Sequence, residues 1–294
     1  PYAPGKPGTF ELPYESVIGV FEGDWIDSCE LYREWALKQQ WCQLGPLAER
    51  KSIPKWFEDL GAWFVGAPSD QAVERGKAVG VPMAIQRYGW HQIPFDDNYP
   101  DYFPPKDEFP GEIQRMHAGG IRVVPYINGR LWDTDTESFA NEGAQQSCTK
   151  DVNQQRYIEN WGQQNHSVQC PSTTNWQEKV AGIVERMARE LDVDGVYIDQ
   201  IASYYPMRCF DPTHPHAAGT GEYWVPTYRK LVELCQQRGR AVKPDLALTT
   251  EAPAEAALHV RQPANRSRGG SAWASVGSAR SGFTARPRCW QSST

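Results

Sequence analysis

The 294-residue sequence predicts an α/β fold in which helices connect the strands of a parallel sheet. Two observations lead to this prediction. Short apolar runs alternate with amphipathic helical patterns from residue 60 onward, and each apolar run ends in polar residues. About five strand–helix units precede Glu251, whereas a closed barrel of this kind has eight. We therefore predict a partial (β/α)8 TIM barrel of about five units.

The predicted elements follow one another from residue 1 to Glu251. Residues 1–22 are rich in Pro and Gly and predict a linker, and GDWIDSCELYREWALKQQW predicts the first helix. Strands are predicted in LGAWFVG, VPMAIQRYGW, IRVVPYINGRLW, VDGVYID and DLALTTE. Helices are predicted between them in SDQAVERGKAVG, EIQRMHAGG, NWQEKVAGIVERMARELD and YWVPTYRKLVELCQQRG. Asn175 is the predicted N-cap of the third of these helices, and Gly239 is the predicted C-cap of the fourth.

The last segment, residues 260–294, differs in composition from the rest of the chain. It holds six Arg and no Asp, Glu or Lys, so the rest of the chain carries 24 basic and 36 acidic residues. It also lacks an apolar periodicity that would give it a face to bury. We expect a disordered basic tail, or a frame-shifted end of the coding sequence, rather than an arm that binds polyanions. The predicted barrel domain then spans 23–259.

Charge and hydropathy exclude several classes of protein. The net charge of −6 opposes general binding to nucleic acid or to an anionic membrane surface, so we expect a neutral partner. No run approaches the roughly eighteen uncharged apolar residues that a membrane-spanning helix needs. The chain opens at Pro1 without the pattern of a signal peptide. The odd count of seven Cys, without a CxxC pair, leaves the redox compartment open.

The aromatic residues indicate the kind of neutral partner. Twelve of them are Trp, and several of these fall at predicted strand ends, together with Tyr126, Tyr204 and Tyr205. A flat apolar ring with a polar edge suits the face of a sugar. We therefore expect a carbohydrate ligand.

Two acidic residues end neighbouring strands of the predicted sheet. The fourth strand ends in Asp199 and the fifth in Glu251. Functional sites of parallel α/β barrels lie at the carboxyl ends of the strands. Two carboxyl groups across a glycosidic bond can complete its hydrolysis, since one attacks or activates water while the other protonates the leaving oxygen. We predict this pair as catalytic, with Glu255 in reserve as the acid; the alternative is that each acid caps a helix or pairs with Arg.

Substrate-contacting residues are predicted at the other strand ends and in the loops that follow them. The set is Trp90, His91, Asp96, Asn128, Arg130, Trp132, Gln200, Tyr204, His214 and His216. His91 could equally be a hydrogen-bonded structural residue, and Asp96 could equally form a turn.

The loop segment CFDPTHPHAAG contains side chains that bind metals in other proteins. His214 and His216 lie close to Cys209 and Asp211, but these residues match no recognised spacing of metal ligands. We therefore predict neither a metal nor a cofactor.

Six segments occur in a fixed order between Gly23 and Glu255: GDW…YREWA, GWH…FD…YPDYFP, GIRVVPYINGRLWD, CP…W followed by DGVYIDQIA, C-D-HPH, and TTE…AE. Together they resemble a family of uncharacterised glycoside-hydrolase-like barrels. That family is similar in turn to the α-amylase superfamily and to the endo-α-N-acetylgalactosaminidases, in which an Asp ending the fourth strand is the nucleophile and a Glu ending the fifth is the acid/base. The resemblance therefore implies these roles for Asp199 and Glu251.

The same resemblance implies a retaining hydrolase of α-linked glycans that acts outside the cytoplasm, in a secreted or periplasmic location. It also implies a β-sandwich before the barrel, of which residues 1–22 would be a remnant. The pattern ends after Leu258, where such enzymes supply three further strands and often a third acid. The alternative function is therefore a carbohydrate-binding or catalytically inactive barrel. We also expect self-association through the open edge of the sheet.

Overall fold

The computed structural model describes residues 15–39, 42, 45, 49–50, 53–66 and 69–251. The predicted tail at 260–294, the reserve acid Glu255 and most of the predicted linker lie outside these ranges. No helix within the described ranges is long and apolar enough to cross a membrane.

The described chain alternates strands and helices, as the sequence predicts. The strands are β1 (Ala62–Val65), β2 (Met83–Arg87), β3 (Ile121–Asn128), β4 (Leu131–Asp133), β5 (Ile158–Trp161), β6 (Gln164–Val168), β7 (Gly195–Asp199) and β8 (Ala247–Thr249). The helices are α1 (Trp25–Ala36), α2 (Lys55–Glu58), α3 (Ser69–Val79), α4 (Phe109–Ala118), α5 (Glu137–Asn141), α6 (Ala144–Ser147), α7 (Thr174–Leu191) and α8 (Trp224–Val242).

Five of these strands form one parallel sheet in the order β1-β2-β3-β7-β8. Each of the five predicted strand segments contains one of these strands, so the predicted α/β class with a parallel sheet is confirmed. Successive side chains of a strand point to opposite faces of the sheet. On β3, Ile121 faces Gly76 of α3, whereas Tyr126 lies on the other face and stacks on Tyr88 and Tyr197. The aromatic face therefore lies opposite the helices.

The sheet is curved, as a short segment that contacts both of its outer strands shows. Phe57 of α2 lies in a small buried cluster with Ala247 of β8, and Trp63 of β1 packs against the same cluster. The indole Nε1 of Trp56 donates a hydrogen bond to the carbonyl of Asp245, at 2.9 Å, just before β8. Strands at opposite ends of a flat five-stranded sheet would lie too far apart to share these contacts.

The amphipathic stripe of α7 packs against the sheet and α8 as its periodicity predicts. Its buried residues include Trp176, Val180, Ile183, Val184, Met187 and Leu191. The predicted N-cap was wrong by two positions. Thr173 is the N-cap, and Asn175 lies inside the helix, where its amide donates to the Ser147 hydroxyl at 3.2 Å.

The predicted C-cap of α8 was also wrong. The helix continues to Val242, so Gly239 lies inside it. A Cβ atom at this position would lie 2.3 Å from the Leu246 side chain and 3.1 Å from that of Val184. Glycine is therefore present because α8 approaches its neighbours closely, and not because the helix ends there.

The sequence did not predict the strands and helices that lie between β3 and α7. The segment IRVVPYINGRLW forms two strands, and β4 leaves the main sheet to form an antiparallel sheet in the order β4-β6-β5. The break falls at Gly129, where a Cβ atom would lie 2.4 Å from the Ile201 side chain and 2.5 Å from that of Ile198. The three short strands and helices α5 and α6 lie beside the carboxyl ends of β3 and β7.

A buried ionic cluster joins elements at the opposite, amino-terminal end of the strands. The carboxylate of Asp194, just before β7, accepts hydrogen bonds from His117 of α4 at 2.7 Å, from Arg122 of β3 at 2.8 Å and from the Val123 amide at 2.8 Å. Lys243, after α8, lies 3.4 Å away. Burial acts to raise the pKa of Asp194, but these hydrogen bonds and charges outweigh it and lower the pKa to about 2.

Candidate active site

The two predicted catalytic acids lie at the same end of adjacent strands. Asp199 is the last residue of β7, and Glu251 follows β8 by two residues. The parallel register pairs Tyr197 with Thr249, so the next position along the same face brings Asp199 beside Glu251. Glu251 is exposed and accepts a hydrogen bond from the Ser203 hydroxyl. The predicted placement of the pair is therefore found, although its catalytic role stays a prediction.

The Asp199 carboxyl group is partly buried and held by two tyrosines. The Tyr126 hydroxyl donates to Oδ2 at 3.1 Å, and the Tyr197 hydroxyl donates to Oδ1 at 3.2 Å. Burial, and then the negative charge of Glu251, raise the pKa of Asp199 to about 6, while the two tyrosine hydrogen bonds act in the opposite direction. A carboxylate oriented through both oxygens and ionised at neutral pH can serve as a nucleophile.

Aromatic rings form an apolar wall beside this carboxyl group. Tyr88 stacks on Tyr126 with ring centroids 4.8 Å apart, and Phe95 lies 5.4 Å from the same ring. The Phe95 ring is 51% exposed, so the wall is open to a ligand on that side. These rings match the expected sugar-facing chemistry, although Tyr88 and Phe95 were not among the predicted contacts.

Arg130 organises the loops around the site. Its side chain is fully buried, with Nη1 donating to Glu159 Oε1 at 2.8 Å and Nη2 donating to the Gln200 amide oxygen at 2.9 Å. The guanidinium carbon lies 3.7 Å from the centre of the Tyr204 ring. Arg130 therefore holds the first residues of the loop after Asp199. Its described contacts are with protein groups, which gives it a positioning role and leaves its predicted substrate contact untested.

Glu159 is the partner of Arg130 that sequence reasoning missed. Burial acts to raise its pKa, but the hydrogen bonds and charge of Arg130 outweigh this effect, so the pKa of Glu159 is lowered. The carboxylate is therefore ionised and the pair is an ion pair. Gln200 has a φ of 64°, a strained conformation for a residue with a side chain, and the bond from Arg130 helps to hold it there.

Four further predicted substrate contacts lie inside the protein, in addition to the buried Arg130, Gln200 and His214. Trp90 and Trp132 are fully buried, with Trp90 Nε1 donating to the Tyr126 carbonyl at 2.7 Å and Trp132 Nε1 donating to the Ser138 hydroxyl at 2.9 Å. Asn128 is buried, and its amide oxygen accepts from the backbone amides of Arg130 and Leu131.

His91 is the fourth of these residues. It is fully buried, and its Nδ1 lies 2.7 Å from the Ile93 carbonyl. Burial is the main cause that lowers the pKa of His91 to about 4, so the imidazole is neutral at neutral pH. These surroundings match the interpretation of His91 as a hydrogen-bonded structural residue more closely than direct contact with a sugar.

His166 of β6 is a buried polar residue that the sequence did not single out. It is fully buried, and neither of its ring nitrogens has a hydrogen-bond partner among the described residues. Its ring lies 6.0 Å from Tyr99, and its charge acts to lower the pKa of Asp96, which burial raises. Asp96 has a φ of 58°, in agreement with the turn that was its alternative interpretation. A short strand that contains a single His gives no clear signal in the sequence.

The predicted contacts His214 and His216 lie in the loop between β7 and α8. His214 Nδ1 lies 3.3 Å from the Cys209 sulfur, and His216 Nε2 lies 3.5 Å from the Cys170 sulfur. The two histidines therefore contact cysteines, one of which, Cys170, was not part of the sequence hypothesis.

A surface cavity of about 580 Å³ lies away from this arrangement. Its lining comes from the loop after β2 and from α5 and α7, with Asp101, Ser138, Lys179 and Arg186 among the lining residues. The lining includes neither Asp199 nor Glu251, so the predicted catalytic pair does not line this cavity.

The family model described as "Domain of unknown function (DUF6259)" matches residues 10–262. The chain belongs to the DUF6259 family. Among curated proteins, it is 33% identical over 254 residues to a Bacteroides thetaiotaomicron protein named "Putative glycoside hydrolase", covering 84% of this chain and 37% of that protein. It is 30% identical over 277 residues to "Putative glycoside hydrolase 22789" of Monosiga brevicollis, covering 82% of this chain and 23% of the relative. The expected resemblance to glycoside-hydrolase-like proteins is thus confirmed.

Among solved structures, the DUF6259 chain is similar to the α-N-acetylgalactosaminidase NagBb from Bifidobacterium bifidum. The TM-score is 0.63 at 15% sequence identity, over 81% of this chain and 41% of the enzyme. At this identity the similarity shows a shared fold. The chain spans roughly a quarter to two fifths of the length of the proteins it matches.

Proposed function

We propose that this chain carries the active site of a retaining α-glycoside hydrolase, with Asp199 as the nucleophile and Glu251 as the acid/base. The observation that carries the proposal is the placement of the two carboxyl groups at the ends of adjacent parallel strands, beside an aromatic wall. The names of the curated relatives support the same class of reaction.

The assignment of the two roles rests on the orientation of Asp199 and the exposure of Glu251, since the raised pKa of Asp199 taken alone would also suit an acid. Both oxygens of Asp199 accept hydrogen bonds that favour the carboxylate and fix its orientation, as a nucleophile requires. Glu251 is exposed, so water can reach it, as an acid/base that must later activate water requires.

The reaction then runs in two steps. Asp199 attacks the anomeric carbon while the glycosidic C–O bond breaks and the leaving oxygen takes the proton of Glu251. In the second step Glu251 removes a proton from water, which attacks the anomeric carbon and frees the Asp199 carboxylate. A retaining mechanism of this kind places the carboxyl groups about 5–5.5 Å apart in the working site. The chain needs no cofactor for these steps.

The linkage and the sugar belong to the same proposal. One solved enzyme of similar fold is an α-N-acetylgalactosaminidase, so aryl α-N-acetylgalactosaminides are the first substrates to test. The five parallel strands would be five of the eight in a (β/α)8 barrel, which the curvature of the sheet and the partial coverage of the relatives support.

The test compares Asp199→Asn and Glu251→Gln in the full chain, with a panel of aryl α-glycosides as substrates. We expect Asp199→Asn to lower kcat/KM at least about 1,000-fold on every substrate. Glu251→Gln should lower kcat/KM little on an aryl glycoside with an acidic leaving group and much more on one with a basic leaving group, because only the latter needs a proton.

Azide separates the two roles further. Added azide should restore turnover of Glu251→Gln with an α-glycosyl azide as product, because azide replaces water in the second step. It should give the β-glycosyl azide with Asp199→Asn, because it then attacks in place of the nucleophile. The exposed Asp107→Asn is the matched control and should keep full activity. Sugar binding without hydrolysis by the unchanged protein would overturn the proposal in favour of a binding module.

A further inference from the structure

Two cysteines and two histidines converge outside the proposed active site. One ligand atom from each of Cys170, Cys209, His214 and His216 lies within 4.8 Å of the other three. Cys170 follows β6, whereas the other three residues lie in the loop between β7 and α8. Cys170, Cys209 and His214 are buried and His216 is half-buried, so the cluster is largely closed to solvent.

Two sulfur–nitrogen distances within the cluster match a tetrahedral metal. Around Zn²⁺, with bonds of about 2.3 Å to sulfur and about 2.0 Å to nitrogen, a sulfur and a nitrogen lie about 3.5 Å apart. Here His214 Nδ1 lies 3.3 Å from the Cys209 sulfur and His216 Nε2 lies 3.5 Å from the Cys170 sulfur. Two thiolates and two imidazoles form a complete four-ligand set for zinc.

The outer nitrogens of both histidines are already engaged. His214 Nε2 lies 2.8 Å from the Gln146 carbonyl, and His216 Nδ1 lies 3.1 Å from the Ala217 carbonyl. A carbonyl can only accept, so each of these nitrogens carries a proton, and in the neutral imidazole the nitrogen facing the cysteines then has the free lone pair that a metal needs. Metal-binding histidines are oriented by this same kind of second hydrogen bond. The His216 ring is also fixed by stacking on Tyr223, with centroids 4.0 Å apart.

We propose that Cys170, Cys209, His214 and His216 bind one structural Zn²⁺ ion. The ion fastens the long loop between β7 and α8 to the connection between β6 and α7. The start of that loop carries Gln200 and Tyr204, the residues held by Arg130 beside Asp199. Zinc would thus limit the motion of the loop that borders the proposed active site, without taking part in the reaction. The proposal stands on the cluster alone and does not depend on glycosidase activity.

The first measurement is the metal content of the full chain, produced with reductant and without a polyhistidine tag. We expect one equivalent of zinc by elemental analysis. Cys170→Ser, Cys209→Ser and His214→Ala should each lose it, while the exposed Cys29→Ser should keep it and control for the loss of a thiol.

A second measurement does not depend on the folding of the variants. Replacement of zinc by Co²⁺ in the unchanged chain should give intense visible bands of tetrahedral cobalt, together with thiolate-to-cobalt charge-transfer bands. Chelation of the metal should also lower the Tm of the unchanged chain. Failure of the reduced chain to take up Zn²⁺ or Co²⁺, with Cys170 and Cys209 found joined as a disulfide before reduction, would overturn the proposal. Zinc retained at one equivalent by all three variants would overturn it equally.

Discussion

At the scale of single residues, the Asp199 carboxyl group is subject to opposing influences. Burial and the charge of Glu251 raise its pKa, and hydrogen bonds from Tyr126 and Tyr197 lower it, with a balance at about 6. Above this pH the carboxylate form dominates and can act as a nucleophile. Below it the group is protonated and unreactive.

The pH profile of kcat/KM should report this balance. We expect the activity of the unchanged chain to fall as the pH drops below about 6. Tyr126→Phe removes a donor that favours the carboxylate, so the pKa of Asp199 should rise and the acidic limb should move up by about one pH unit. Tyr205→Phe changes an exposed tyrosine and should leave the limb in place. An acidic limb at the same pH in Tyr126→Phe as in the unchanged chain would show that the ionisation of Asp199 does not control it.

At the scale of the elements, Asp194 joins β7 to β3, α4 and the end of α8. Its folded-state pKa of about 2 lies below its unfolded value, so the folded protein favours the ionised carboxylate. This group therefore contributes stability above about pH 4, the unfolded pKa, and the contribution is lost as the pH falls toward 2.

Asp194→Asn should accordingly lower the free energy of unfolding by about 3 kcal/mol at pH 7, because it leaves positive groups without their buried counter-charge. Denaturant titrations from pH 7 to pH 2 provide the measurement. The difference between the variant and the unchanged chain should shrink as the pH falls below about 4. Asp192→Asn, at a side chain that is 75% exposed, is the matched control and should lower the free energy of unfolding only slightly. A pH-independent difference would show that the Asp194 charge is not the cause.

Sequence patterns could predict those features that depend on position along a strand or helix. The alternation of apolar runs placed Asp199 and Glu251 at adjacent strand ends, and the periodicity of α7 gave its buried stripe. The cap of α7 was missed because Thr173 and Asn175 are both residue types that cap helices. The tertiary pairings of Arg130 with Glu159, and of Cys170 with the loop after β7, were not predictable, because the short strands β4 to β6 that bring them together show no clear period.

At the scale of the whole molecule, the curved sheet ends in two strands that each pair with one neighbour among the described strands, β1 with β2 and β8 with β7. A strand with an unpaired edge offers free amide and carbonyl groups to another chain. Among the described residues, Phe57 packs with Ala247 at the start of β8, and Trp63 of β1 packs against the same cluster.

We therefore expect the isolated chain to self-associate. Size-exclusion chromatography with light scattering should show a mass that increases with protein concentration. The contacts would be backbone hydrogen bonds between strand edges, so high salt should not disrupt the assembly. Salt would disrupt contacts between charged surfaces, because it screens them. A monomer of 33.2 kDa at every concentration would contradict this expectation.

The most direct test of the proposed catalytic pair is covalent labelling of the nucleophile by mechanism-based α-glycosyl aziridines. The probe set should include the N-acetylgalactosamine, galactose and glucose configurations, followed by peptide mass spectrometry. We expect one adduct per chain on Asp199, reduced by competing substrate and absent from Asp199→Asn. An adduct on Glu251 or on another carboxylate, or hydrolysis of an α-glycoside by a chain in which Asp199 stays unlabelled by every probe, would contradict the assignment of Asp199 as the nucleophile.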